Sequence, residues 1–138
     1  MDMKATIIRK VHFNAAHRLH NDHWSEEKNR EVFGKCNNPN YHGHNYLVEA
    51  KVKGEIDSDT GYVMDTKILN DILVKEIVER FDHKNLNLDT VEFRDLNPTA
   101  ENIARKIHEI MYPKIGIEKQ LTIILHETER NSVEYNGE

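Results

Sequence analysis

Two stretches of the sequence alternate apolar and polar residues with a period of two, and histidines continue both patterns at one end. The residues in phase are Ile7, Val11, Phe13, Ala15 and His17 in the first stretch, and His42, His44, Tyr46, Val48, Ala50 and Val52 in the second. Residues two apart in a strand lie on the same face, so we predict strands over 5–17 and 42–54, each with one buried face. If they pair antiparallel, the end of the first lies beside the start of the second. Three imidazoles then meet at one edge of the apolar face.

This arrangement of histidines predicts a metal site. Three neutral imidazoles suit zinc, and three protein ligands with an open fourth position are typical of catalytic zinc. We therefore expect His17, His42 and His44 to bind zinc. A His-x-His pair alone also fits polar strand-end residues that hydrogen bond to the backbone. Cys36, six residues before His42, adds another alternative, because a fourth ligand would close the site and make it structural.

The connection between the two strands, residues 18–41, is long and polar. Connections of this length inside a domain are usually functional or disordered, and we favour function because this one carries Cys36. Ser25 is placed to cap a short helix. His20 and His23 compete as metal ligands, but a polar loop gives them no fixed geometry, so we predict that both are solvated.

The composition bounds the classes of protein to which the chain can belong. Its 138 residues fit one domain, 1–138. The net charge of -5, without a basic run, argues against a nucleic-acid partner. No apolar segment is long enough to span a membrane, and the N-terminus lacks the apolar core of a signal peptide. We therefore expect a cytoplasmic protein. One cysteine excludes an internal disulfide.

Apolar residues at helical spacing predict two helices after the second strand. The first covers residues 65–81, with an aspartate as its N-cap. Thr99 opens the second, and Pro113 and Gly116 should end it. The apolar stripe of this second helix leaves His108 on its solvent face.

Alternation returns near the C-terminus and predicts strands over 121–128 and 132–135. The order of elements is then strand, strand, helix, helix, strand, strand. This order predicts an α+β domain with an antiparallel four-stranded sheet and two helices on one face.

Three further polar residues are candidates for substrate binding or catalysis. Glu127 ends an apolar strand face, where a buried carboxylate needs partners. It either reaches water or anchors a planar heterocycle by accepting a parallel pair of N–H donors. Asp82 and His83 follow the first helix and either cap it or act on Cys36. In the second case an imidazolium lowers the pKa of the thiol and the aspartate orients the imidazole.

Seven segments in this order resemble the 6-pyruvoyltetrahydropterin synthase family, which includes the 6-carboxytetrahydropterin synthases of queuosine biosynthesis. The segments are Phe-Asn-Ala-Ala-His-Arg-Leu at 13–19, Gly-Lys-Cys-Asn-Asn-Pro-Asn at 34–40, His-Gly-His-Asn-Tyr at 42–46, Gly-Glu-Ile-Asp at 54–57, Asp-His-Lys-Asn-Leu at 82–86, Pro-Thr-Ala-Glu-Asn at 98–102, and Glu-Thr at 127–128 with Tyr135. The resemblance covers nearly the whole chain. It implies the tunnelling fold, in which trimers form a barrel and two trimers stack into a homohexamer with active sites between subunits.

The resemblance also implies roles for individual residues. It implies zinc ligands at His17, His42 and His44, a catalytic thiol at Cys36 paired with Asp82 and His83, a pterin anchor at Glu127, and a pterin pocket lined at Thr99 and Ala100. The implied substrate is 7,8-dihydroneopterin triphosphate. Arg18 and Lys35 are candidates to attract its triphosphate, and solvated surface cations are the alternative.

Two branches of the family fit parts of the sequence. The Gly-Lys-Cys-Asn-Asn-Pro-Asn run is similar to the biopterin-forming branch, a lyase that releases triphosphate and yields 6-pyruvoyltetrahydropterin. Residues 61–65 and 97–99 resemble the queuosine branch, which yields 6-carboxytetrahydropterin and acetaldehyde. Cys36 argues against a folate-related branch that has glutamate instead. A non-catalytic zinc- or pterin-binding protein is a further alternative, which the intact set of site residues disfavours.

Overall fold

A computed structural model describes residues 3–138, so the first two residues of the expected domain lie outside the described part of the chain. The strands, in chain order, are β1 (Lys4–His17), β2 (His42–Glu55), β3 (Lys84–Asn85), β4 (Gln120–His126) and β5 (Ser132–Tyr135). They form one sheet in the order β3-β1-β2-β4-β5. β1 and β2 pair antiparallel, with His17 opposite His42 and Ala15 opposite His44. This register brings the three histidines to one end of the hairpin.

The α+β class is confirmed, but the prediction of four antiparallel strands was wrong by one strand. β3 is a two-residue strand that runs parallel to β1 at the edge of the sheet. The backbone of Asn14 holds it there: its N–H donates to Asp82 Oδ1 at 2.8 Å, and its carbonyl accepts from the His83 N–H at 2.6 Å. Two residues are too short a run to show alternation, so the sequence pattern cannot reveal such a strand.

The helical segments are α1 (Glu26–Phe33), α2 (Thr66–Leu73), α3 (Glu79–Phe81), α4 (Leu86–Asp89) and α5 (Ala100–Ile115). A π-helical turn, Val74–Val78, joins α2 to α3, so the first predicted helix is one helical stretch with a widened turn. Ser25 caps α1 as predicted, accepting from the Lys28 N–H at 3.1 Å. Among residues 3–138, none of the helices has the length and apolar content required to cross a bilayer.

The prediction that Pro113 ends α5 was wrong, because the helix continues to Ile115 and ends at Gly116. Proline lacks an N–H and its ring crowds the carbonyl four residues earlier, but it does not prevent the residues after it from being helical. Gly116, with φ of 111°, provides the termination.

The core lies between one face of the sheet and the helices α2 and α5. Phe13, Tyr46 and Ile123 project from the sheet, and Leu73 and Ile107 meet them from the helices. His108 is also buried, which corrects its predicted solvent exposure. Its Nε2 hydrogen bonds to a strand carbonyl, that of Leu121, at 3.0 Å, and the chain that follows β5 covers the ring. The helical pattern could not show this, because the cover comes from a distant part of the chain.

Candidate active site

The three histidines form one cluster at the end of the β1–β2 hairpin. Each offers a ligand atom, and these atoms lie within 4.8 Å of one another. The Nε2 atoms of His17 and His42 are 3.0 Å apart. The rings of each pair are close to perpendicular, at 67°, 83° and 87°, so edges rather than faces converge.

The protonation states and partners of these rings fit a metal ion. The His17 Nδ1–H donates to the Pro98 carbonyl at 2.8 Å, which leaves Nε2 with its lone pair. Within residues 3–138, His42 Nδ1 and His44 Nε2 are buried without a hydrogen-bond partner. Such nitrogens are costly unless a partner is supplied. The cluster is therefore a candidate metal centre.

The electrostatics favour the neutral imidazoles that bind metals. The pKa of His17 is lowered to about 4, chiefly by burial and also by the charges of His42 and His44, although the hydrogen bond to the Pro98 carbonyl opposes the shift. Burial also lowers the pKa of His44, although the charge of Glu127 opposes that shift. Both rings are thus uncharged at neutral pH and present lone pairs.

Cys36 lies beside the cluster and outside it. It belongs to a 3₁₀ turn, Gly34–Asn37, and its carbonyl accepts from the Leu19 N–H at 2.8 Å. Cys36 and His42 both line a cavity of about 1060 Å³. In the described part of the chain, the group of converging ligand atoms comprises the three histidines and excludes this thiol. This geometry favours an open fourth position over a closed structural site.

The thiol of Cys36 is protonated at neutral pH in the single chain. Burial raises its pKa, and the negative charge of Glu127 raises it further. A thiolate base at this position therefore needs a positive group from elsewhere.

Glu127 follows directly after β4 and is half-buried. Its backbone N–H donates to the Asn131 carbonyl at 3.0 Å, which fixes the turn. Its carboxylate makes no hydrogen bond within residues 3–138. Together with His44 it lines a second cavity, of about 620 Å³. The carboxylate is therefore available to a ligand or to water, the two alternatives that the sequence left open.

Thr99 and Ala100 lie at the start of α5. The Thr99 hydroxyl caps the helix by accepting from the Asn102 N–H at 3.1 Å. They directly follow Pro98 in the chain, and the Pro98 carbonyl hydrogen bonds to His17 of the histidine cluster.

Asp82 and His83 contact each other and do not contact Cys36. The His83 Nδ1–H donates to Asp82 Oδ2 at 2.8 Å. The Asn14 N–H, followed by His83, lowers the pKa of Asp82 and keeps it ionised. His83 has φ of 61°, rare for a residue with a side chain, and its side chain is 84% exposed. Within residues 3–138, no hydrogen bond joins it to the thiol, so their predicted pairing needs a second chain.

This combination of fold and site matches a known family. Residues 6–138 match the family model described as 6-pyruvoyl tetrahydropterin synthase. The chain belongs to this family. It is 41% identical over 135 residues to the human protein named 6-pyruvoyl tetrahydrobiopterin synthase, covering 98% of this chain and 93% of that one. It is 27% identical over 144 residues to a 6-carboxy-5,6,7,8-tetrahydropterin synthase of Rickettsia conorii, covering 91% and 96%.

A solved structure agrees with this assignment. The 6-pyruvoyl tetrahydropterin synthase of Caenorhabditis elegans superposes with a TM-score of 0.87 at 35% identity, covering 99% of this chain and 97% of that one. The fold predicted from the resemblance is thereby confirmed. As a member of the 6-pyruvoyl tetrahydropterin synthase family, the chain is an enzyme of the lyase class.

His20 and His23, the two other candidate metal ligands, do not belong to the histidine cluster among the described residues. His23 is exposed, as predicted. His20 is not solvated: its Nδ1 accepts a hydrogen bond from the Asn37 side-chain amide at 2.8 Å, and its Nε2 lies 3.5 Å from Asp22.

The residue that orders the long loop was missed by the sequence analysis. Asn29 is fully buried in α1. Its Oδ1 accepts from the Asn21 N–H at 2.7 Å, and its Nδ2 donates to the carbonyls of Asn21 at 2.9 Å and Ser25 at 3.0 Å. An asparagine in a polar run carries no signal that separates this role from a solvated one.

Proposed function

We propose that the protein is a zinc-dependent carbon–oxygen lyase that converts 7,8-dihydroneopterin triphosphate to 6-pyruvoyltetrahydropterin with loss of triphosphate, as in tetrahydrobiopterin synthesis. The observation that carries the proposal is the convergence of three imidazoles, one buried and two part-buried, beside a part-buried thiol, with His42 and Cys36 on one cavity. We also propose that residues 1–138 are one pterin synthase domain that acts in the cytoplasm.

His17, His42 and His44 would hold the zinc ion. Zinc, when bound, supplies Lewis acidity that makes the C–H beside a substrate hydroxyl more acidic and stabilises negative charge on oxygen. The Pro98 carbonyl keeps the His17 proton on Nδ1, so Nε2 would offer its lone pair to the ion. His42 and His44 would supply the remaining two ligand atoms, because each offers a ring nitrogen within 4.8 Å of those of the other two histidines.

Cys36 acts as the base that removes the proton from carbon. Because its pKa is raised in the single chain, an imidazolium must approach to favour the thiolate. We assign this role to His83 of another subunit, oriented by its own Asp82, within a homohexamer of two trimers. The exposure of the His83 ring and its hydrogen bond to Asp82 support this assignment.

Glu127 anchors the pterin ring by accepting two N–H bonds from its planar edge. Its half-buried position and uncommitted carboxylate support this role. Thr99 and Ala100, beside the Pro98 carbonyl that holds His17, line the same end of the site. The ring is thereby held while the side chain reacts near the histidines.

The reaction balances without an external oxidant or reductant. Cys36 takes a proton from the side-chain carbon next to the ring, and the electron pair moves into the ring, which takes up a proton. Loss of a second proton, from the neighbouring side-chain carbon, breaks the carbon–oxygen bond to triphosphate, and the enol that results becomes a ketone. Oxidation of the side chain accompanies reduction of the ring within one molecule. No redox cofactor is therefore required.

Product analysis tests this proposal. The zinc-loaded enzyme is incubated with 7,8-dihydroneopterin triphosphate, and the pterin is identified by mass spectrometry. A retained three-carbon pyruvoyl side chain is expected, with one triphosphate released per turnover. The higher identity to the pyruvoyl-type relative supports this expectation. A carboxyl side chain with acetaldehyde would assign the queuosine-type reaction instead, and the absence of triphosphate release would refute the lyase proposal.

A further inference from the structure

The larger cavity, of about 1060 Å³, is lined by more positive side chains than proton removal by Cys36 requires. Three cations line it, Arg18, Arg30 and Lys35, together with one carboxylate, Glu26. The chain as a whole has a net charge of -5. This cavity is therefore a local positive region on an acidic protein, and such a region attracts anions.

Arg18 is held in a fixed orientation at this cavity. Its Nε donates to the Asn37 carbonyl at 3.0 Å. Its backbone N–H donates to the Asn87 side chain at 2.8 Å, and its carbonyl accepts from the same amide at 2.9 Å. The terminal nitrogens of the guanidinium make no hydrogen bond or ion pair within residues 3–138. They remain as a preorganised pair of donors, the geometry that binds phosphate oxygens.

The other two cations are weakly committed. Arg30 lies in the last turn of α1, and its only ion pair in the described part of the chain is with Glu26 at 4.0 Å, between side chains that are 67% and 90% exposed. Exposed pairs of this kind contribute little, so a polyanion can displace Glu26. Lys35 is exposed beside Cys36 and forms no ion pair within residues 3–138.

The two cavities are lined by different histidines of the cluster. His42 lines the cationic cavity, whereas His44 and Glu127 line the smaller one. A substrate with a planar ring at one end and a polyanion at the other would thus span the cluster. Its central hydroxyls would meet the imidazoles.

From this arrangement, we propose that the cationic cavity is a polyphosphate-binding site in which Arg18, Arg30 and Lys35 hold the triphosphate arm of the substrate. The inference rests on the proposed function for the identity of that substrate. It adds Arg30, which the sequence did not single out. It also predicts that the three cations of the cavity favour polyphosphate binding, whereas Glu26 opposes it.

Inorganic tripolyphosphate is the probe that tests the site, titrated calorimetrically into the zinc-loaded protein. Zinc content is measured after each titration, because the probe also chelates metals. The Arg30→Gln and Lys35→Gln variants should each bind about tenfold more weakly, the size of one lost charge-assisted hydrogen bond. Glu26→Gln should bind more tightly. Lys75→Gln, an exposed lysine on the π-helical turn, is the matched control and should bind as wild type.

Turnover separates this inference from the proposed function. With 7,8-dihydroneopterin triphosphate, Arg30→Gln should raise KM about tenfold and leave kcat within about twofold, because Arg30 holds an arm that does not react. If the wild type turns over but Arg30→Gln, Lys35→Gln and Lys75→Gln all bind tripolyphosphate alike, the site is refuted and the lyase proposal stands. If tripolyphosphate binds with the predicted charge dependence but no triphosphate is ever released, the site stands and the lyase proposal falls.

Discussion

Replacing Asn29 by alanine should loosen the loop that carries Cys36. The side chain makes three short hydrogen bonds, one accepted from the Asn21 N–H and two donated to the carbonyls of Asn21 and Ser25. It is fully buried, so water cannot replace these partners in the folded state. At about 1 kcal/mol of net stabilisation per bond, the free energy of unfolding should fall by about 3 kcal/mol.

Two measurements check this prediction. Urea denaturation, at one fixed protein concentration because assembly contributes to stability, should show the loss in unfolding free energy. Thermal denaturation should show a fall in Tm of roughly 6–12 °C. Amide hydrogen exchange at Asn21 should accelerate about a hundredfold, the factor that corresponds to ~3 kcal/mol. Glu31→Ala, on the exposed side of the same helix, is the control and should stay within about 0.5 kcal/mol of wild type.

The reasoning would be refuted by one combination of results. If Asn29→Ala showed wild-type exchange at Asn21 and lost no more stability than Glu31→Ala, the buried amide would not be organising the loop. Asn29→Asp refines the test. It keeps the oxygen that accepts from the Asn21 N–H, but it replaces the NH2 group that donates to the two carbonyls with a second oxygen, which cannot donate. It should be at least as unstable as Asn29→Ala.

Three further predictions concern the site. His42→Ala should lose most of the bound zinc because two imidazoles remain, whereas His23→Ala should retain it; elemental analysis showing equal zinc in both would contradict the three-histidine site. Cys36→Ala should lower turnover by at least ~10²-fold and keep its zinc; loss of zinc as well would make Cys36 a fourth ligand. Since burial and then Glu127 raise the pKa of Cys36, alkylation by iodoacetamide should accelerate with rising pH as thiolate forms. Glu127→Gln should move that pH midpoint downward, and an unchanged midpoint would refute the electrostatic coupling.

The histidine cluster could be predicted from the sequence because the direction of a strand side chain depends on local geometry. His17 shares the parity of Phe13 and Ala15, and His42 and His44 share that of Tyr46. An antiparallel hairpin between two such strands leaves little freedom in where the imidazoles point. The observed register, with His17 opposite His42, follows from burying both apolar faces together.

The two helices were predictable for a similar reason. Asp65 and Thr99 cap them through bonds to N–H groups two and three residues further on. Capping and apolar spacing act over a few residues, so they leave a signal in the chain. The exact end of α5 was less predictable, since the cost of Pro113 depends on its distance from the helix terminus.

What the sequence alone determined is therefore local: strand faces, helix starts and the convergence of the three histidines. The tertiary structure decided the rest. It buried His108 under the chain after β5, buried Asn29 against the loop, and joined Asp82 and His83 to the backbone of Asn14. Each of these depends on contacts between segments far apart in the chain. Side-chain periodicity reports which face of an element is buried, but which distant segment covers that face is set by how the whole chain packs.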